Sequence, residues 1–347
     1  MPMVGITRYS YELLLRLVQT PHEWYLYSDR ELIHDFPDLP NVHIRYGAIK
    51  RRAMSTIYAQ AIFPIWAKQD QLDVFWSPRH HLPLLLPKRI KSLLTIHDLV
   101  WKFYPETMSY LGRWLERALM PPSLARAQAV ISVSQATQLD LQKFFPACSD
   151  KLTVVRAGLS YTPVTAKLDV GKQPYFLFVG TVEPRKNLPR LLNAFAQVAK
   201  TNDEISLVLV GGEGWGQQGL GEIIEQLGLI DRVKLTARVS EQELAEFYAN
   251  ARALVMPSLY EGFGLPLLEA MGHGVPVISS NFGAMKEVAA DAGLLVDPYS
   301  EQQLAAAMIE MLSDEIHTDL SIKAVARAAL FDWDNSATAV LERIEQL

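Results

Sequence analysis

Cysteine is almost missing from these 347 residues; Cys148 stands alone. A single thiol excludes an internal disulfide and any zinc site built on cysteines, and it makes a reducing compartment the expected setting. Long apolar runs are also lacking, since none approaches the ~18 residues that a membrane-spanning helix requires. The N-terminus carries no basic segment followed by an apolar core, so no signal peptide is read there. No stripe of basic residues interleaved with aromatics marks a nucleic-acid surface, and nucleic acid is not an expected partner. Together these absences point to a soluble cytoplasmic protein.

Hydrophobic residues make up 49% and charged residues 20% of the chain, ordinary values for a globular protein. The length exceeds what one core usually supports, so two domains are expected. Charge divides the halves. Residues 1–168 hold 20 Lys and Arg against 13 Asp and Glu, a net +7, whereas residues 169–347 hold 13 against 25, a net −12. A basic half suits an anionic acceptor or an anionic membrane surface, or it is simply solvated charge.

Short apolar runs separated by helical periods recur in both halves, the pattern of doubly wound α/β sheets. The first half has Trp24–Tyr27, Val42–Tyr46, Val74–Trp76, Ser92–Ile96, Val130–Ser134 and Lys151–Val155. The second has Tyr175–Val179, Ile205–Val210, Val233–Thr236, Ala253–Met256, Val275–Ser279 and Gly293–Val296. Expected helices include one with Tyr11, Leu14, Leu15 and Val18 on its apolar face, one over Thr56–Trp66, and one over Gln135–Phe144 capped by Ser134. Ser240 with Glu243 forms the reciprocal pair that opens another. Thr162–Ala166 reads as a linker.

The chemistry concentrates in Ser258 to Gly272. Ala253–Met256 reads as a buried strand ending at Pro257; the period then changes, and Leu265, Leu268 and Met271 fit one helix face. Pro266 falls in the first turn, where its missing N–H would be unpaired anyway. Gly262 and Gly264 permit a tight turn close to a ligand, and free N–H groups at a helix start suit a phosphate. Glu261 and Glu269 bracket that start. Carboxylates facing a phosphate would repel it, so they fit hydroxyls better, and a sugar nucleotide offers both phosphate and hydroxyls. The plain alternative is a packing turn with two solvated glutamates.

Glu261-Gly262-Phe263-Gly264-Leu265-Pro266-Leu267-Leu268-Glu269 resembles the Glu-x7-Glu signature of retaining GT-B glycosyltransferases of family 4. The resemblance covers residues from about 5 to 340. It implies two Rossmann-like domains facing across a cleft, with an acceptor-binding domain over 1–168, a nucleotide-sugar domain over 169–330, and a helix over 331–347 crossing back to the first. It implies that Glu261 lies near the transferred sugar, that Glu269 holds ribose hydroxyls, and that the backbone of Phe263, Gly264 and Leu265 meets sugar and diphosphate. Arg238-Val239 lies where the family reads the base through backbone groups. Gly5 resembles a glycine loop that approaches the diphosphate after the first strand of the N-terminal sheet, and that strand is missing from this sequence.

Two further loops follow strand ends. Gly180 to Asn187 places Arg185 and Lys186 before a helix, a clamp able to stabilise a leaving diphosphate. The family usually has a basic residue where this chain has Thr181, and Arg185 is assigned its part. Thr95-Ile96-His97-Asp98 ends another strand and resembles a family segment that sets His97 beside the donor sugar and acceptor; a structural His–Asp pair is the alternative. His80-His81 has no carboxylate at ligand spacing, and Asp332-Trp333-Asp334 reads as a helix start, so no metal is expected. Lys50-Arg51-Arg52 with the Thr56–Trp66 helix could lie on a membrane, or be a basic loop before a core helix.

The expected activity is retaining transfer of a hexose, mannose from GDP-mannose being favoured, to a glycan or lipid-linked saccharide. No cofactor beyond the nucleoside diphosphate sugar is expected. Gly214 to Gly219 satisfies G-x-G-x-x-G and raises a nicotinamide-dependent oxidoreductase as the rival, though its first glycine lies too far past the strand and no acidic strand end follows. An inactive nucleotide-sugar binder is the other alternative.

Overall fold

The structure, a computed structural model, describes residues 5–32, 36–50, 54–160, 174–212 and 219–347. The segment ahead of Gly5, the pair Arg51 and Arg52, the linker Thr162–Ala166 and Gly214 to Gln218 of the dinucleotide-like pattern lie outside the described residues.

In chain order the elements are α1 (Ile6–Leu17), β1 (Trp24–Ser28), β2 (Val42–Tyr46), α2 (Ser55–Gln69), β3 (Val74–Ser77), β4 (Lys91–Ile96), α3 (Val100–Phe103), α4 (Tyr110–Arg126), β5 (Ala129–Ser132), α5 (Gln135–Phe144) and β6 (Leu152–Val154). There follow β7 (Tyr175–Val179), α6 (Leu188–Ala199), β8 (Ser206–Val210), α7 (Leu220–Gln226), β9 (Val233–Thr236), α8 (Glu241–Ala249), β10 (Ala253–Met256), α9 (Leu265–Gly272), β11 (Val277–Ser280), α10 (Gly283–Ala289), β12 (Gly293–Val296), α11 (Glu301–Glu310), α12 (Asp314–Ala328) and α13 (Trp333–Glu345). No helix among the described residues is long and apolar enough to cross a membrane.

The chain divides into two compact units. The first joins Val4–His97, Tyr110–Gly158 and Trp333–Leu347; the second joins Asp98–Ser109 and Leu159–Asp332. In the first, β1 pairs with β2, and β3-β4-β5-β6 form a separate parallel sheet. Leu93, Leu94 and Ile96 of β4 are fully buried, each stabilising the fold by about 1.5–3 kcal/mol. α1 differs in part from the expected face: Val18, at its C-terminal end, is fully buried, but Tyr9, Leu13 and Leu17 are the helix's most buried apolar positions, while Tyr11, Leu14 and Leu15 are half-buried. Tyr9 can be interior because its hydroxyl donates to the Val155 carbonyl at 2.9 Å, and its ring meets the edge of Trp333 from α13.

In the second unit six parallel strands run in the order β12-β11-β10-β7-β8-β9. The chain starts this sheet at β7, adds β8 and β9 on one side, and returns to add β10, β11 and β12 on the other. The order therefore reverses between β7 and β10, and open parallel sheets bind ligands beyond the strand ends at such a reversal. Nearly uninterrupted apolar runs explain the strands, because both faces are covered by helices. α6 shows why: Leu188, Leu191, Leu192, Phe195 and Val198 fall on one face and are fully buried. α8 opens with the expected capping box, Ser240 receiving the Glu243 N–H and the Glu243 carboxylate receiving the Ser240 N–H.

Candidate active site

The loops leaving β7 and β10 carry the charged residues that the sequence singles out, and the strand reversal brings them together. Beyond β7, Pro184–Lys186 forms one tight turn, and Asn187 ends it with a left-handed backbone (φ 63°) that asparagine tolerates better than most residues. The Asn187 amide donates to the Pro257 carbonyl past β10 at 3.1 Å and to Pro298 past β12 at 2.7 Å. The Leu259 N–H adds a bond to the Arg185 carbonyl at 2.8 Å. Three strand ends are thus tied into one platform.

On it Glu261 holds both cations. Lys186 Nζ donates to Oε1 at 2.5 Å and Arg185 Nη1 to Oε2 at 2.6 Å. Arg185 also reaches Glu183 Oε2 at 2.8 Å and the Tyr260 carbonyl at 3.2 Å. Burial alone would raise the Glu261 pKa, but Arg185 and Lys186 overcome it and bring the carboxyl down to about 2. Burial pulls the Lys186 ammonium below its ordinary value while Glu261 opposes. For Arg185, burial is outweighed by Glu261, Glu183 and Asp98, and its pKa rises. Glu261 is therefore an enclosed ion-pair centre rather than a solvated loop carboxylate.

Gly264 caps α9 at φ 108°, a conformation open to glycine, and an added Cβ would lie 3.1 Å from the Met285 sulfur. Phe263 is buried against the edge of Phe331, and Leu265 begins the helix. From Leu267 to Gly272 every residue of α9 is buried. Glu269 shares that burial, and the Tyr248 hydroxyl of α8 donates to its Oε2 at 2.8 Å. Gly180 lies over Lys186, whose Cε would be 3.6 Å from a Cβ there. Val239 is half-buried on a separate loop, just ahead of the α8 cap.

Sequence reasoning missed several partners. Tyr248 and Asn187 carry no motif of their own. Tyr260 is held by the Asp98–Ser109 segment: its hydroxyl accepts the Leu99 N–H at 3.1 Å and its ring stacks on Phe103.

In the first unit, His97 directly follows β4, buried, with its ring edge-on to Tyr9. Gly5 caps α1 with φ 52°. The adjacent histidines differ from expectation, because a carboxylate does meet them. Glu116 of α4 contacts His80 Nδ1 through both oxygens at 3.2 Å and His81 Nε2 at 3.1 Å. It is 35 residues or more away in sequence, brought in by the packing of α4. Among the described residues no group of three or more His, Cys, Asp and Glu is arranged to hold a metal ion.

Family models match along the chain, glycosyltransferase family 4 over residues 3–161 and glycosyl transferases group 1 over residues 165–328. O-antigen chain mannosyltransferase B of Escherichia coli is 31% identical over 100% of this chain and 97% of its own. The chain belongs to glycosyltransferase family 4. It is therefore an enzyme of glycosyl transfer, and the nicotinamide-type glycine pattern is a coincidence of spacing. O-antigen chain mannosyltransferase RfbU of Salmonella typhimurium is 32% identical, over 75% of this chain and 69% of that protein. Among solved structures, sucrose-phosphate synthase of Thermosynechococcus elongatus superposes with a TM-score of 0.79 at 22% identity, covering 99% of this chain and 93% of that one. WaaG, a glycosyltransferase involved in lipopolysaccharide biosynthesis, gives 0.76 at 17% identity, covering 98% and 96%. These likenesses make the fold GT-B, with two Rossmann-like α/β domains.

Proposed function

We propose that this glycosyltransferase moves mannose from GDP-mannose to a glycan or lipid-linked saccharide during synthesis of a bacterial surface polysaccharide, with retained anomeric configuration. The full-length identity to an O-antigen chain mannosyltransferase carries the reading. The cation pair Arg185 and Lys186 at the strand reversal supports it, because a departing diphosphate needs fixed positive charge where its own charge develops. In this reading the bond from the anomeric carbon to the diphosphate oxygen breaks as the acceptor oxygen bonds to that carbon, and the acceptor proton leaves to the diphosphate. Glu269, steadied by Tyr248, receives ribose hydroxyls. Glu261 turns from its cations toward the sugar as the diphosphate takes its place. The Phe263–Leu265 and Gly180 backbones approach the diphosphate, and Val239 meets the base. No metal takes part.

Melting the protein with GDP, UDP, dTDP and NADH in excess EDTA tests the donor. GDP should raise the melting temperature most, since a ligand of the folded state stabilises it. Selective stabilisation by UDP overturns the mannose assignment, and stabilisation by none of the three diphosphates overturns the donor site. NMR of the product settles the anomer.

An anionic membrane is the proposed setting of the acceptor, on the inner face of the plasma membrane. α2 turns Met54, Ile57 and Ile65 outward while Phe63 and Trp66 pack on Tyr27. Gln60 hydrogen-bonds the Leu82 carbonyl and the Leu84 N–H, so exposed Leu84 and Leu85 lie beside that stripe. Lys68 of α2 and Lys88 and Arg89 of residues 82–92 are exposed, and neither α2 nor residues 82–92 contain an acidic residue. Lys88→Glu with Arg89→Glu should reduce sedimentation with anionic liposomes and leave GDP affinity intact; unchanged sedimentation overturns the membrane assignment.

A further inference from the structure

We propose that His80, held by Glu116, is a positioning residue that fixes the location of His97, whose tautomer the Pro78 carbonyl sets. The proposal rests on the glycosyl-transfer reading above, with His97 taken as an acceptor for a sugar hydroxyl. It begins with β3 and β4, which pair in parallel so that their carboxyl ends are neighbours. The loop past β3 carries His80, and His97 is the first residue past β4. The His97 N–H donates to His80 Nε2 at 3.1 Å. A nitrogen that accepts this bond keeps its lone pair, so the proton of neutral His80 sits on Nδ1, where Glu116 takes it with both oxygens at 3.2 Å.

His97 is gripped elsewhere as well. Its carbonyl accepts from the Thr137 hydroxyl of α5 at 3.3 Å, and its ring nitrogen Nε2 meets the Pro78 carbonyl at 2.8 Å. A carbonyl only accepts, so Nε2 carries the proton and Nδ1 keeps the lone pair. Burial first, then the neighbouring His80, lowers the His97 pKa to about 3, with Pro78 and Glu116 pulling the other way and Arg79 adding to the fall. The ring is thus a neutral acceptor with one nitrogen spoken for, suited to a sugar hydroxyl. The His80 contact leads on to a buried charge, and that charge belongs to α4. Through His80, α4 sets where the end of β4 stands.

Placement at this scale decides rates, since a shift of about 1 Å can cost about 100-fold. His80→Leu removes the acceptor of the His97 N–H. The expected result is a kcat for mannosyl transfer lower by about 10–100-fold, with GDP affinity by calorimetry unchanged. In His80→Gln the amide oxygen can still accept from His97 while its NH2 faces Glu116, so kcat should return most of the way to wild type. His97→Ala should fall as far as His80→Leu, and the double variant should fall no further, because both remove one arrangement. Ring ¹⁵N shifts of the wild type should report His97 as the neutral tautomer protonated on Nε2 at pH 6, a readout independent of how the variants fold. Wild-type kcat in His80→Leu or in His97→Ala, a His80→Gln variant no better than His80→Leu, or the opposite tautomer overturns the proposal. None of these touches GDP binding. Failure of wild type to bind GDP instead overturns the donor reading, and the proposal falls with it.

Discussion

Glu116 and Glu261 each sit between two basic side chains, Glu261 between an arginine and a lysine and Glu116 between two histidines. Arg185 and Lys186 compensate Glu261 with permanent cations, in a cluster that Glu183 and Asp98 extend. His80 and His81 compensate Glu116 with imidazoles. Burial opposes ionisation of both carboxylates, and in both the basic neighbours win, holding the pKa below the usual carboxylate range. The difference lies in what each cluster can exchange. An Arg–Lys–carboxylate cluster can give its cations to an incoming anion without any proton moving. A His–carboxylate cluster instead hands down proton positions, and so suits orientation.

The largest effect should come from breaking the permanent cluster. Glu261→Leu leaves Lys186 without its carboxylate inside the protein, and unfolding by denaturant should show a loss of about 3–5 kcal/mol. GDP affinity of the same variant should rise by about tenfold, the equivalent of ~1.4 kcal/mol, because the diphosphate no longer competes with Glu261; a fall measured by calorimetry overturns this expectation. Asn187→Ala, which unties the platform under that cluster, should cost about 1–3 kcal/mol by leaving the Pro257 carbonyl without its donor.

Acid sharpens the comparison. A histidine whose pKa is lowered stays neutral when folded, while the unfolded chain takes up a proton below its ordinary 6.5. Stability then falls as pH drops from about 6.5 toward 3, by up to ~1.4 kcal/mol per pH unit. Glu261 behaves differently: its contribution is present above the ordinary 4.5 and is lost only as pH falls from there through about 2. Between pH 7 and 5 the denaturant midpoint should therefore decline, and His97→Gln should flatten the decline. Some slope should survive in that variant, because burial also lowers the His317 pKa. The smallest effect is expected from Tyr248→Phe, about 1 kcal/mol of stability with GDP binding weakened severalfold; unchanged binding would separate Glu269 from the ribose.

Strands were legible because a parallel strand covered on both faces is an apolar run, and Tyr175–Val179 and Ala253–Met256 are simple instances. The Glu261–Glu269 segment was legible because proline, glycine and period change coincide within a few residues. α4 was not. Pro121 and Pro122 stand inside it, and Tyr110, Leu111 and Trp114 are exposed, so neither breakers nor hydrophobic period announce a helix. Hence Glu116 could not be paired with His80 and His81 from spacing. The contacts of Glu261 were hidden for a similar reason: Arg185 and Lys186 reach it only because β7 and β10 are neighbours in the sheet. Local signals report elements; the partners of a buried charge depend on strand order, which no local period encodes.

The interleaving of the two units in the chain has a consequence for synthesis. The unit that begins first is completed last, since α13, with Trp333 against Tyr9 and Asp334 paired to Arg16, is made after everything else in that unit. Some 175 residues separate Gly158 from Trp333, and at ribosomal speeds that interval is roughly 10–35 s. Throughout it, α1 has emerged with Tyr9 lacking the cover that Trp333 of α13 later provides. The second unit can close as soon as Asp332 has been added. A nascent chain should therefore show the nucleotide-type sheet protected from protease before the amino-terminal one.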